Sequence, residues 1–212
     1  MFGHHDRILD VTVHHADRLK DVERFGDNDP YVRLFTDLHH PDKGVRTFVA
    51  KDQGKNPKWG QTLSLENIKD DAQYLYLDVM DDEKGADEVI GFAAIPLAQI
   101  AQLQPPVFAG TFDIYDEKGK AHGTIYLTMR FRRKNEPATT AVHEGSSQRH
   151  GISVVMEDHK KHIKKLIRRE HLDDTGKVAA GAAMVAGALH LLHKHSDEDK
   201  KKKEAAKAAR EV

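Results

Sequence analysis

The chain has 212 residues, enough for one domain of ordinary size with an appendage and short for two full domains. Its apolar fraction is 39%, its charged fraction 32% and its net charge −1, which excludes a whole-chain bias toward nucleic acid or anionic surfaces. With no cysteine it makes no disulfide, thiolate metal site or cysteine nucleophile, and with no run of about 18 apolar residues it offers no ordinary transmembrane helix. The polar, histidine-rich start, 1–7, predicts no secretory signal, so a cytoplasmic location is expected.

Up to Lys134 the apolar runs are short, rich in β-branched and aromatic residues, and separated by turn residues. The expected strands are 8–13, 31–36 after Pro30, 45–51, 61–65, 74–80, 90–95, 107–115 and 124–132. Alternation is clear in the fifth and clearest in the last. Leu75, Leu77 and Val79 share one face, as do Ile125, Leu127, Met129 and Phe131. Short strands with no long helix among them predict an all-β fold, an eight-stranded antiparallel β-sandwich with a C-terminal helical extension. Periodicity does not choose among the sandwich topologies.

Beyond Lys134 the pattern changes. Residues 135–150, with Pro, Thr, Gly and Ser, read as a linker. From Ile152 the period becomes helical. Val155, His159, Ile163, Leu166 and Glu170 share a stripe flanked by Lys160, Lys161, Lys164, Lys165, Arg168 and Arg169. Such a helix suits an anionic bilayer interface, the sandwich itself, or a second copy of the chain. The Gly/Ala-rich stretch 178–192 has 15 residues, about 22 Å as a helix against a hydrocarbon core of about 30 Å. Shallow insertion or helix pairing is expected there rather than spanning. The expected organisation is a sandwich over 6–133, a linker over 135–150, a basic and then Gly/Ala-rich helical tail over 151–195, and a charged tail over 196–212.

Three motifs sit between the strands, in order: LKDVERFGDNDPYV (19–32), KDQGKNPKW (51–59) and LYLDVMDDEKGADEVIG (75–91). GTIYLTMRF (123–131) closes the set. Pro30 fixes φ at the mouth of the second strand and leaves the Asp29 carboxylate facing the loop. Asn56-Pro57 makes a turn, and Trp59 anchors the next strand, more readily in a core than in a bilayer. Together these motifs resemble the C2 domain family over nearly all of residues 6–133, in the permutation where 8–13 is the first strand.

The resemblance implies a membrane-targeting, non-enzymatic module in which loops at one end of the sandwich supply five acidic calcium ligands. Carried over motif by motif, they are Glu23, Asp29, Asp81, Glu83 and Glu88. Three are Glu where the family uses Asp, and the third loop is one residue short. Calcium takes about six to eight oxygens, and the longer Glu side chains fit that geometry less well, so binding is expected to be weak. Without metal these are ordinary solvated loop acids. Their crowding argues for a cation: Asp21, Glu23, Asp27 and Asp29 share one loop, and Asp81, Asp82, Glu83, Asp87 and Glu88 another.

The family also uses lysines on its concave sheet to bind lipid headgroups. The comparable residues here are Lys43, Arg46, Lys51, Lys55 and Lys58, at a density that is also ordinary for a protein surface. The six basic residues from Lys160 to Arg169 make a denser field. No nucleophile elbow, phosphate-binding glycine loop or His-Glu zinc motif is present, so no enzyme is expected. The expected function is that of a cytoplasmic, peripherally membrane-associated adaptor. It would bind acidic phospholipids through the sandwich and the basic tail, with weak calcium dependence and no nucleic acid. The alternative is a calcium-independent scaffold for a protein partner, self-associating through its C-terminal helices.

Overall fold

The computed structural model of the protein describes residues 7–23, 26–66, 68–69, 71–137 and 149–169. Most of the expected linker (138–148), Glu170, the stretch 178–192 and the charged tail 196–212 lie outside the described residues.

The strands are β1 (Arg7–Asp17), β2 (Pro30–Phe35), β3 (Val45–Arg46), β4 (Lys58–Leu65), β5 (Tyr74–Asp81), β6 (Glu88–Pro96), β7 (Val107–Tyr115) and β8 (Ala121–Arg133). Their order is β3-β2-β5-β6-β7-β8-β1-β4, with antiparallel neighbours throughout. β6 and β7 share the single pair Phe92 and Tyr115, so the sheet folds there into two four-stranded layers. A side chain at Gly91 would come within 2.5 Å of Ile114 Cγ2, which is why this corner carries a glycine.

The inner faces are those the alternation predicts. Leu75, Leu77 and Val79 from one layer and Ile125, Leu127 and Met129 from the other are fully buried in one core. Leu9, Val11 and Val13 of β1 stand opposite Phe131, Met129 and Leu127. Trp59 packs into the same core and donates its indole N–H to Pro30 O at 3.2 Å.

Two local features depart from the sequence reading. The third strand is regular only over Val45–Arg46, because an extra residue enters before 50. Thr47 N bonds Val32 O and Ala50 N bonds Pro30 O, so three steps on one strand match two on the other. Between β6 and β7, where no helix was expected, one helical turn (α1, Ala98–Ala101) lowers Ile100 into the core; a 3-10 turn, Pro41–Lys43, follows β2.

The C-terminal segment belongs to the same packed unit. Residues 149–154 enter where β6 and β7 diverge. Arg149 O accepts from Thr111 N at 2.9 Å, Gly151 N donates to Thr111 O at 2.8 Å, and Val154 exchanges two bonds with Ala94 at 2.9 and 3.0 Å. The segment thus satisfies two strand edges that would otherwise be open.

Helix α2 (157–169) then crosses the outer face of β2, β5 and β6. His159 and Ile163 are fully buried, and Leu166 and Ile167 pack with Tyr31, Met80, Val89 and Phe92. Of the three surroundings its apolar stripe suits, the sandwich is the one it occupies. Among the described residues no helix is long and apolar enough to cross a membrane.

A charged knot lies under α2. Asp78, fully buried, accepts from Arg33 Nη2 at 2.6 Å and from His159 Nε2 at 2.7 Å. Burial disfavours its charge, but His159 and Arg33 outweigh that and hold its carboxyl below the ordinary carboxylate range. Asp78→Ala would leave Arg33 and His159 facing each other without their anion. A loss of about 3–5 kcal/mol in urea unfolding is expected.

Candidate metal centre: the acidic loop end

Three loops meet where β2 begins and β5 ends: 18–29, 47–57 and 82–87. Asp81 keeps the inward parity of Leu75, Leu77 and Val79, so its carboxylate enters the end of the core and is fully buried. Its Oδ1 accepts from Asp29 N, and its Oδ2 has no hydrogen-bond partner. A register shift between Val79 and Met80 sets Asp81 opposite Glu88. Buried Asn28 shapes the first loop, taking Val22 N and Glu23 N on its side-chain oxygen at 3.2 and 3.3 Å and donating to Lys20 O at 2.9 Å. As a result, carboxylate oxygens of Glu23, Asp81 and Glu83 all lie within 4.8 Å of one another.

Among the described residues, no basic side chain pairs with this trio. Glu23 is pushed up to about 7, first by a hydrogen bond with Glu83, then by burial, then by the charges of Glu83, Asp81 and Glu88. Asp81 is pushed up to about 6 by burial above all. The Asp29 amide opposes that, and Glu83, Asp29 and Glu88 add repulsion. Three convergent carboxylates, one with a buried oxygen that lacks a donor, make the all-oxygen set a hard divalent cation such as calcium takes.

Both pKa values lie above the ordinary carboxylate values of 3.8 and 4.5, so the metal-free fold binds protons that the unfolded chain has released. The stability these two groups contribute is complete below about pH 4 and is lost as pH rises through about 6 and 7. Melting in chelator is therefore expected to fall between pH 5 and pH 8. Calcium, which needs the deprotonated ligands, should offset that fall most at pH 8.

The other expected ligands are placed differently. Glu88 lies beside the trio, its charge acting on both Glu23 and Asp81. Asp29 touches the trio through its main chain, while its own carboxylate takes Asp52 N at 2.6 Å and Lys51 Nζ at 2.9 Å. Burial opposes ionisation of Asp29, but these two donors prevail and lower its pKa. Asp87 takes the Tyr31 hydroxyl at 2.6 Å, and Asp21 pairs with Lys55 at 3.1 Å.

The five basic residues expected to bind headgroups from the sandwich do not gather. Lys51 and Lys55 are engaged with loop acids, and the Arg46 guanidinium lies over the Tyr31 ring at 5.3 Å. Lys58 opens β4, and Lys43 sits on the 3-10 turn beyond the far end of β2. On α2 itself, Lys161, Lys164, Lys165, Arg168 and Arg169 are exposed, while Lys160 reaches back to Lys118 O at 3.0 Å and Lys161 pairs with Asp158 at 2.8 Å. The carboxylate pair held by Lys51, Asp29 with Asp82, escaped the sequence reading, although a lysine heading the second motif between two acid-rich loops was a signal for it.

Fold and site together define a two-layered antiparallel sandwich that gathers acidic loops at one end. The sequence model of the C2 domain matches residues 7–114, and the chain belongs to the C2 domain family. It is 26% identical over 178 residues to a calcium-dependent lipid-binding protein of Arabidopsis thaliana, covering 82% of this chain and 33% of that one. It is 32% identical over 136 residues to Protein SRC2 of Glycine max, covering 59% of this chain and 46% of that one. The chain thus spans less than half the length of these relatives. A C2 domain of a plant Extended Synaptotagmin 1 shares the fold, with a TM-score of 0.51 at 22% identity over 64% of this chain and 100% of that domain.

Proposed function

We propose that the protein is a membrane-docking module rather than an enzyme, binding acidic phospholipid surfaces from the cytoplasmic side with the help of weakly held calcium. The observation that carries this reading is the buried Asp81 carboxylate, whose Oδ2 has no hydrogen-bond partner and which converges with Glu23 and Glu83. Bound calcium would supply the positive charge that no described basic side chain brings to this trio. Glu23, Asp81 and Glu83 would hold it, with Glu88 and the Asp29 main chain supporting them. Because the ion needs about six to eight oxygens, it keeps positions for lipid phosphate or carboxylate. With Glu at two of the three positions, affinity no tighter than roughly 10⁻⁵ M is expected. The calcium-dependent lipid binding named for the Arabidopsis relative supports the same reading.

The basic arc of α2 reinforces it. His159, near the start of the helix, packs on Phe35 and Tyr76, while Leu166 and Ile167 share a cluster with Tyr31, Met80 and Val89. Those last three residues lead straight into Asp29-Pro30, Asp81 and Glu88, so the helix advances toward the acidic loops. Lys164, Lys165, Arg168 and Arg169, exposed on its later turns, would thereby accompany the calcium loops toward one surface, each basic residue near a bilayer contributing roughly 1 kcal/mol.

Co-sedimentation with phosphatidylcholine vesicles, with and without phosphatidylserine and in calcium or chelator, tests the proposal. Binding is expected only with phosphatidylserine, stronger in calcium, with a salt-sensitive remainder in chelator. Indifference to phosphatidylserine would contradict it and favour a calcium-independent scaffold that binds a protein partner or a second copy.

A further inference from the structure

Lys51 lies in the loop after the third strand, and its ammonium sits between carboxylates supplied by the other two loops. It is 2.9 Å from Asp29 Oδ2 and 2.8 Å from Asp82 Oδ2. Asp29 Oδ1 is taken by Asp52 N, so Asp29 has no oxygen left without a donor. One residue along the strand end, Asp81 receives the Asp29 amide on one oxygen and nothing on the other. The loop end is thus divided in two. One half, Asp29 with Asp82, is neutralised by a cation built into the chain. The other half, Glu23, Asp81 and Glu83, has no basic side chain paired with it among the described residues.

We infer that the loop end holds two adjoining cation positions and that the Lys51 ammonium fills one of them, leaving a single position for a divalent ion from solution. The inference rests on the calcium reading of the trio and fixes its stoichiometry. A tethered ammonium competes at the high effective concentration of an intramolecular partner, which free calcium at a weak site does not match. It also clamps the three loops together without metal, so the trio is pre-assembled when the ion arrives. The Lys51 side chain is 59% exposed and approaches from the solvent side, so removing its charge opens the position without disturbing the core.

Calorimetric titration of the full chain with calcium chloride tests this, comparing wild type, Lys51→Arg, Lys51→Gln and Lys51→Gln/Asp82→Asn. One ion is expected for wild type and Lys51→Arg, two for Lys51→Gln, and one again when Asp82 is also changed. One ion in both wild type and Lys51→Gln, or two in wild type, would overturn the role of Lys51 while leaving the trio as a calcium site. No ion in wild type but one in Lys51→Gln that Asp82→Asn removes would keep the role of Lys51 and overturn the reading of the trio. No ion in any variant would overturn both.

Discussion

Ending the chain after Pro137 is expected to remove stability on the order of 5–10 kcal/mol, measured as loss of the cooperative melting transition and onset of association in light scattering. Residues 149–169 bury one side of Tyr31, Met80, Val89 and Phe92 and contribute Ile163, Leu166 and Ile167 to the same cluster. Full burial of such side chains contributes about 1.5–3 kcal/mol each. Losing several together approaches the whole stability of a typical domain, about 5–15 kcal/mol. Truncation also frees the edges of β6 and β7 where Val154, Arg149 and Gly151 now bond, and an open apolar edge invites association. Asp78 and Arg33 would return to water in the truncated chain, so their pairing does not add to the loss.

Replacing Lys164, Lys165, Arg168 and Arg169 together by Ala is expected to weaken binding to phosphatidylserine vesicles by up to about 4 kcal/mol, nearly a thousandfold at low salt. All four are exposed, and none has a carboxylate partner among the described residues. Alanine keeps the helix propensity high and the buried arc is untouched, so melting should change little. Vesicle co-sedimentation across a salt series checks the origin of the loss. The difference between wild type and variant should shrink as added salt shortens the Debye length below its ~10 Å at 0.1 M. An undiminished difference would assign the loss to damaged packing instead.

The strands were legible because their inner faces alternate. β8 sets Ile125, Leu127 and Met129 against Thr124, Tyr126 and Thr128, and all three apolar residues are buried. The helical stripe was legible from His159 onward, although 152–156, expected to open it, are not helical, and what covers it was not legible, because periodicity reports which face is apolar and not its partner. A further signal was present. β6 carries no polar side chain between Val89 and Ile95, and β5 and β2 place aromatic residues on the face away from the core, at Tyr76, Tyr31 and Phe35. Strands apolar on both faces are covered on both faces, here by α2. At the loop end the acidic residue types could be read, and Glu23, Asp81 and Glu83 do converge. The split between a neutralised and an unneutralised half could not, because Lys51 meets Asp29 and Asp82 only when three loops far apart in sequence are folded together.

Asp81→Asn removes one carboxylate charge at almost constant volume, from the buried position where the trio converges. Flotation of wild type and Asp81→Asn with phosphatidylserine-containing vesicles, in calcium and in chelator at matched salt, therefore isolates the metal contribution to docking. The calcium-dependent increment is expected to vanish in Asp81→Asn, while the salt-sensitive binding in chelator, carried by α2, persists or rises slightly. An Asp81→Asn protein that responds to calcium as wild type does would contradict a calcium site at this end of the sandwich.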